Sequence, residues 1–536
     1  MKYNKKINLS EFLLLFLVFT SIVFLLLAGT GTLFSGFHYV DDHEFAETEF
    51  LLKKEQWSIV RTIRSWIVFD RGKRFRPLYY TLRVLTVAIF GVNTVAISIL
   101  RGFIASMSMT ILYCIGRMTG SNRFFSFLFP LVSIIGYQMA AVWKMGPQEN
   151  LGTLLLACTF VFLLQFLENP GPLNAFLTIL FAISMSFYKE SYILLLPFFV
   201  CYILYSGNHA SLINRNNTTS NQPVSPSIQD KTIKAKIGRQ CMIVFFSVLF
   251  FASLFLVWVT VYQNRQSSAG SLSLSELLKE ILNSCSTDLR WFILFSVLLL
   301  FIFFSYWNEA RQYWREYLLF ISFILPQMLL YIRNMTERYI LPWSVGYAAT
   351  FVLFIPRRIL HSGKRKNLYI ILLIGLLAAN LRGAIVEADY YQFSGNSFTG
   401  AMEAIEKAAE NQGTDSDVRI MTCFSPDEEG NLMIKYWLLL KGIDDVYYWH
   451  RDTQEINKSF SYDHYSELSG TDETDVSLDS IDIIITANRR DRHFIADLEF
   501  DLSDFIEVPC GSMTLYFRKG TGIEIPEIKE PSAIYS

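Results

Sequence analysis

The stretch Tyr39-Val40-Asp41-Asp42-His43-Glu44 puts two adjacent carboxylates, an imidazole and a third acid next to one another. Neighbouring carboxylates repel, which makes one of them a stronger base, and such a pair can deprotonate a hydroxyl or hold a divalent cation. His43 beside these acids reads first as a hydrogen-bond partner and second as a metal ligand. Three further stretches carry ionisable groups in short turns between apolar runs. In Trp143-Lys144-Met145-Gly146-Pro147-Gln148-Glu149-Asn150 a single acid, Glu149, precedes an apolar run, where a carboxylate also suits the positive end of a helix dipole. In Phe187-Tyr188-Lys189-Glu190-Ser191-Tyr192 a lysine and a glutamate share a tight turn and could simply neutralise each other. In Arg333-Asn334-Met335-Thr336-Glu337-Arg338-Tyr339, Arg338 has the fork that matches phosphate oxygens, and interfacial anchoring is the plainer reading.

The elements that must position these groups are membrane helices. Of the 536 residues 52% are hydrophobic and only 18% charged, with a mean hydropathy of +0.31, which is too apolar for a water-soluble enzyme and excludes intrinsic disorder. The 15% aromatic content suits membrane interfaces. Residues 12–34 form an apolar run behind Lys2, Lys5 and Lys6, long enough for a hydrocarbon core of ~30 Å and too long for a signal-peptide core. Further spans are expected near 93–117, 124–143, 150–167, 173–188, 191–206, 240–263, 290–306, 317–332, 341–356 and 368–386, about eleven in all. Continuous apolar runs favour helices over a β-barrel. The stretch from Pro77 to Phe90 is too short to span and reads as an interfacial or re-entrant helix.

Basic loops set the expected orientation. With the N-terminus in the cytoplasm, Arg117, Arg123, Lys231, Lys234, Lys236, Arg239, Arg311, Arg315, Arg357, Arg358 and Lys364 all stay inside, and the four chemical stretches fall together on the outer face. Charges gathered at one surface suit transfer chemistry better than a transport path across the bilayer, so a transporter or flippase of lipid-linked sugars is the alternative. The loop 35–92 breaks the charge rule. Lys53, Lys54, Arg61, Arg64, Arg71, Lys73, Arg74 and Arg76 mix there with seven acids, which makes the loop either a solvated mixed-charge segment or a binding region.

Net charge is −1, yet residues 1–386 hold 35 Lys and Arg against 18 Asp and Glu, and residues 387–536 hold 12 against 30. The chain therefore divides into a basic membrane part, 1–386, and an acidic soluble part, 387–536, whose charge argues against nucleic acid as a partner. In the second part the hydrophobic period changes. Helices are expected at 398–411 and 427–442, and strands at 418–424, 445–450, 482–487, 505–510 and 513–518, which is a small extracytoplasmic α/β domain. It has no GxGxxG, P-loop or GxSxG motif. Of seven cysteines only Cys423 and Cys510 are candidates for a disulfide.

Read in order, the motifs resemble the GT-C superfamily of membrane glycosyltransferases, which includes protein O-mannosyltransferases and the aminoarabinose transferase of lipid A. The resemblance rests on a first span, the outer acids Asp41 and Asp42, Arg76-Pro77-Leu78 opening a helix that ends at Phe90-Gly91, a second acid Glu149, the Tyr-Lys-Glu-Ser turn and a Glu-Arg-Tyr-x-Leu-Pro stretch. It covers roughly residues 10 to 345 with short, degenerate motifs. It implies a polytopic helical membrane protein that moves a sugar, with inversion, from a polyprenyl-phosphate donor to an envelope glycan, lipid or protein at the extracytoplasmic face of the cell membrane. On that resemblance Asp41 or Asp42 is the base, and Glu149 either shapes the acceptor pocket or completes a divalent-metal site with them. Arg74, Arg76, Lys189 and Arg338 hold the donor phosphate, with His43, Glu44, Glu190, Glu337 and Tyr339 nearby. The acidic α/β tail departs from the better-known members and would either select the acceptor or support the loops.

Overall fold

The computed structural model describes residues 7–38, 42–70, 76–217, 226–259, 292–298, 314–331, 337–356, 364–411, 418–424, 429–450, 454–458, 464, 476–487 and 501–525. The first helix, α1 (Leu9–Gly29), starts where the Asn8 side chain accepts the Glu11 N–H at 2.8 Å, a standard way to satisfy an orphan donor. It buries only Phe19, Val23 and Leu27, a row spaced by four, and leaves the rest of its apolar surface outward. Loop 35–92 is largely helical, with α2 (His43–Lys53), α3 (Ile59–Asp70) and α4 (Pro77–Phe90). Pro77 opens α4 at its first position, where a missing N–H costs nothing. Gly91 closes it at φ +60°, with the Glu49 carboxylate 3.0 Å from where a Cβ would sit.

Next comes α5 (Thr94–Met118), capped by Asn93. The expected span 124–143 is broken into α6 (Arg123–Ile134), a turn of 3-10 helix at Tyr137–Met139 and α7 (Ala140–Trp143), and the two halves meet at 69°. Pro130 and the left-handed Gly136 account for the break. Helices α8 (Glu149–Glu168), α9 (Pro172–Tyr188), α10 (Leu196–Asn217), α11 (Pro226–Val257), α12 (Trp314–Tyr331) and α13 (Ile340–Ala348) follow. Among the described residues five helices are long and apolar enough to cross a membrane, and the bent pair α6–α7 makes a sixth. Their common core runs from Phe19 and Val23 through Met109, Phe129, Leu163, Tyr192 and Phe199 to Val352 and Leu373.

The last span and the helix expected at 398–411 are one rod, α14 (Lys364–Asn411). Its 48 residues are ~72 Å long at 1.5 Å per residue, more than twice a hydrocarbon core. No proline interrupts it, and the glycines that weaken it locally are covered, Gly383 by Tyr137 and Gly395 by the backbone of Ser35.

Beyond α14 lies a six-stranded sheet with order β3-β2-β1-β4-β6-β5, built from β1 (Ile420–Cys423), β2 (Val446–His450), β3 (Glu455–Asn457), β4 (Ile483–Ala487), β5 (Phe505–Cys510) and β6 (Met513–Arg518). β1 runs parallel to β2 and β4, with α15 (Glu429–Leu440) as the crossover, whereas β3 pairs antiparallel with β2, and β6 pairs antiparallel with both β4 and β5. The sheet is bound to the rod through the Ser397 hydroxyl, which accepts the Ser512 N–H at 2.9 Å. Its crossover helix α15 packs on the first loop through Tyr436 against Phe50 and Trp437 against Phe37. Cys423 and Cys510 are both buried free thiols, so the disulfide expected between them is absent.

Candidate active site

The four polar stretches meet at the domain-bearing end of the helical bundle. Asp42 lies just before α2 and is 1% exposed. One carboxylate oxygen accepts the His38 N–H at 2.9 Å, and the other accepts the N–H groups of Met145, at 3.1 Å, and Gly146, at 2.6 Å. The first loop is thus hydrogen-bonded to the turn between α7 and α8. That turn is tied in place from below by Arg101 of α5, whose guanidinium donates to the carbonyls of Ala141, Met145 and Pro147, while Asn150 donates to the Arg101 carbonyl at 3.0 Å. Three carbonyl acceptors suit a planar five-donor group inside an apolar helix pair.

Glu149 opens α8 and is completely buried. One carboxylate oxygen pairs with Lys189, itself 5% exposed, and the other has no hydrogen-bond partner among the described residues. Arg338 is close enough for its charge to act on Glu149 as well. The extended backbone of Lys189 separates α9 from the 3-10 segment Glu190–Leu195, which lets the lysine reach back to α8 while Tyr192 donates to the Glu149 carbonyl at 2.8 Å. Arg338 precedes α13, and both cations face the Tyr339 ring, Lys189 at 4.4 Å and Arg338 at 4.9 Å from its centroid.

The remaining sequence candidates divide. Glu190 pairs with Arg76 at 2.8 Å. Glu44 pairs with Arg83 of α4 and accepts from the Tyr79 hydroxyl at 3.0 Å, and that hydroxyl also reaches the Gly146 carbonyl at 3.2 Å. The Arg83 guanidinium lies 4.0 Å from the Tyr79 centroid and is 3% exposed. His43 points away from this group, toward Glu429 of the α/β domain at 3.8 Å. Asp41 and Arg74 lie outside the described residues, as does the side chain of Glu337.

Arg83, Arg101, Lys144 and Tyr79 belong to the cluster without having been singled out as site residues from the sequence. The signal existed for Arg101, a charge inside an expected span, and for Lys144, an ammonium 3% exposed over the Tyr391 ring at 4.7 Å. Among the described residues six cations (Arg76, Arg83, Arg101, Lys144, Lys189, Arg338) stand against four carboxylates (Asp42, Glu44, Glu149, Glu190), a surplus that favours an anionic ligand.

These carboxylates do not suit a divalent ion. Asp42 has both oxygens on N–H groups and Glu149 has one on an ammonium, and no group of three or more His, Cys, Asp or Glu among the described residues is arranged around a metal position. A cavity of about 60 Å³ lies under the turn, between Arg83, Arg101, Gly146 and Tyr188, with room for about two waters at ~30 Å³ each. A larger one, about 960 Å³, is remote from this chemistry, at the opposite ends of α5 and α8 among Phe12, Met118, Cys158 and Phe181.

No protein-family model and no curated protein matches the chain. Among solved structures it is similar to the crystal structure of ArnT from Cupriavidus metallidurans bound to undecaprenyl phosphate, with a TM-score of 0.47 and 10% sequence identity over 97% of this chain and 100% of that one.

Proposed function

We propose that this protein is a membrane glycosyltransferase that moves a sugar from a polyprenyl-phosphate donor to a hydroxyl of a cell-envelope glycan, lipid or protein at the extracytoplasmic face. The observation that carries the reading is the joining of four separate loops into one cation-rich cluster, with Lys189 and Arg338 both against the Tyr339 ring and beside Glu149. A glycosyl phosphate needs its leaving phosphate stabilised as negative charge develops, and preorganised cations in a dry site do that most effectively.

Asp41 is the base in this reading. It takes the proton of the acceptor hydroxyl while that oxygen attacks the anomeric carbon from the face opposite the phosphate. The carbon–oxygen bond to the phosphate breaks, its electron pair leaves on the phosphate oxygen, and the sugar inverts. Arg338 and Lys189, with Arg74 and Arg76, hold the departing phosphate. Asp42, which has its oxygens on three N–H groups, ties the first loop to the turn before α8 in this reading and does not take the proton. Glu149 holds Lys189 in place through their ion pair.

The test supplies polyprenyl-phosphate sugars to membranes containing the wild-type or variant protein and measures transfer of sugar. Transfer by the wild type and its loss in Asp41→Asn are the expected results. Unchanged transfer in Asp41→Asn would remove the assignment of the base, and flipping of the lipid without transfer would favour a transporter.

A further inference from the structure

The basic first loop contains a surface that the catalytic reading leaves unused. Helix α3, Ile59–Asp70, buries one side, with Thr62 at 0% and Trp66 at 2% exposure. The Trp66 indole donates to the Thr48 hydroxyl at 3.1 Å, stacks on Tyr80 of α4 at 5.5 Å, and packs on His464 at 4.3 Å. The opposite side is bare. Val60 is 76% exposed, Val68 56% and Ile59 41%, with Ile63 and Ile67 half-buried between them.

Six β-branched residues in twelve make α3 a weak helix former, so its free face gains from a cover that water does not provide. Arg61 and Arg64 are exposed on the same side, and Lys54 is exposed just before it. Arg61 lies over the Trp57 ring at 4.0 Å, and none of the three makes an ion pair among the described residues. Lys53, by contrast, is matched by Glu49.

We propose that the free face of α3 rests on the bilayer surface at the domain-bearing end and binds the phosphates of anionic phospholipids through Arg61 and Arg64. Apolar side chains bordered by unpaired arginines are what an interfacial helix presents to headgroups and the first acyl carbons. A soluble anionic glycan would satisfy the arginines and leave Ile59, Val60 and Val68 in water, so the apolar stripe selects the lipid. The same contact explains why this loop departs from the charge rule that the other loops obey. It depends on the membrane reading of the chain and not on which reaction the cluster performs.

The test measures amide hydrogen exchange of residues 59–70 in the full-length protein, held in nanodiscs of phosphatidylcholine alone or with phosphatidylglycerol. Added phosphatidylglycerol should slow exchange in α3 and not in α5, with roughly fivefold of that protection lost for each arginine removed in Arg61→Gln and Arg64→Gln, and most of it kept in Arg61→Lys/Arg64→Lys. Val60→Ser/Val68→Ser should weaken protection in both lipid compositions. Equal exchange in the two compositions overturns the proposal. So does equal protection by dextran sulfate added to phosphatidylcholine nanodiscs, which would identify a soluble polyanion as the partner. Native mass spectrometry keeps the proposal open to refutation if a variant exchanges everywhere through misfolding, because the wild type must then retain phosphatidylglycerol in preference to phosphatidylcholine.

Discussion

Asp42 and Glu149 are both fully enclosed acids at the same end of the bundle, yet their surroundings differ in kind. Asp42 is held by uncharged main-chain N–H groups from two loops, whereas Glu149 is held by the ammonium of Lys189 and the field of Arg338. A carboxylate fixed by peptide dipoles joins pieces of backbone. One paired with cations holds those cations together at one place. The first region is therefore built for position and the second for charge, and a phosphate entering the second would meet cations already gathered.

The strongest way to break this contrast is at the neighbour of Asp42. Asp41→Asn should lower sugar transfer by roughly 10²–10⁴-fold, the usual worth of a general base, while the thermal unfolding temperature stays unchanged. Next in size is Glu149→Gln, which leaves the Lys189 ammonium buried without its counter-charge and should cost about 3–5 kcal/mol in unfolding experiments. Glu149→Gln/Lys189→Met should recover much of that stability without recovering transfer, and recovery of both would mean the pair is structural only. Asp42→Asn replaces a charged acceptor by a neutral one in front of three N–H groups, and should cost about 1.5–3 kcal/mol. Loss of transfer in Asp42→Asn with stability intact would abolish the distinction between the two acids. The smallest effect serves as a control on the α/β domain. Burial pushes the Cys423 thiol pKa up, so Cys423 and Cys510 should resist thiol reagents in the native state, and reductant should leave the unfolding temperature unmoved.

The α/β domain shows how far local pattern reaches. Strands β5 and β6 have the bounds their alternation predicts, and β1, β2, β4 and α15 lie within a few residues of theirs, because side-chain periodicity is a property of consecutive residues. The three-residue edge strand β3 is too short to carry a period and was missed. In loop 35–92 the charges hid α2 and α3, whose helical faces are packed by the distant residues Tyr436 and His464. The α14 rod was divided because the apolar run ends near 386 and the amphipathic pattern of 398–411 begins only later, whereas the helix continues unbroken between them, with Gly395 covered by the Ser35 backbone.

Composition and hydrophobic runs by themselves determined a helical membrane protein with an acidic α/β tail, and residue types in the turns were enough to nominate Asp41, Asp42, Glu149, Lys189 and Arg338. Only tertiary structure decided what each described acid does. The partners of Asp42 are backbone N–H groups, which every residue but proline possesses and no sequence motif can mark. Lys189 is drawn to Glu149 and not to its neighbour Glu190 because Arg76, more than a hundred residues earlier in the chain, already occupies the latter.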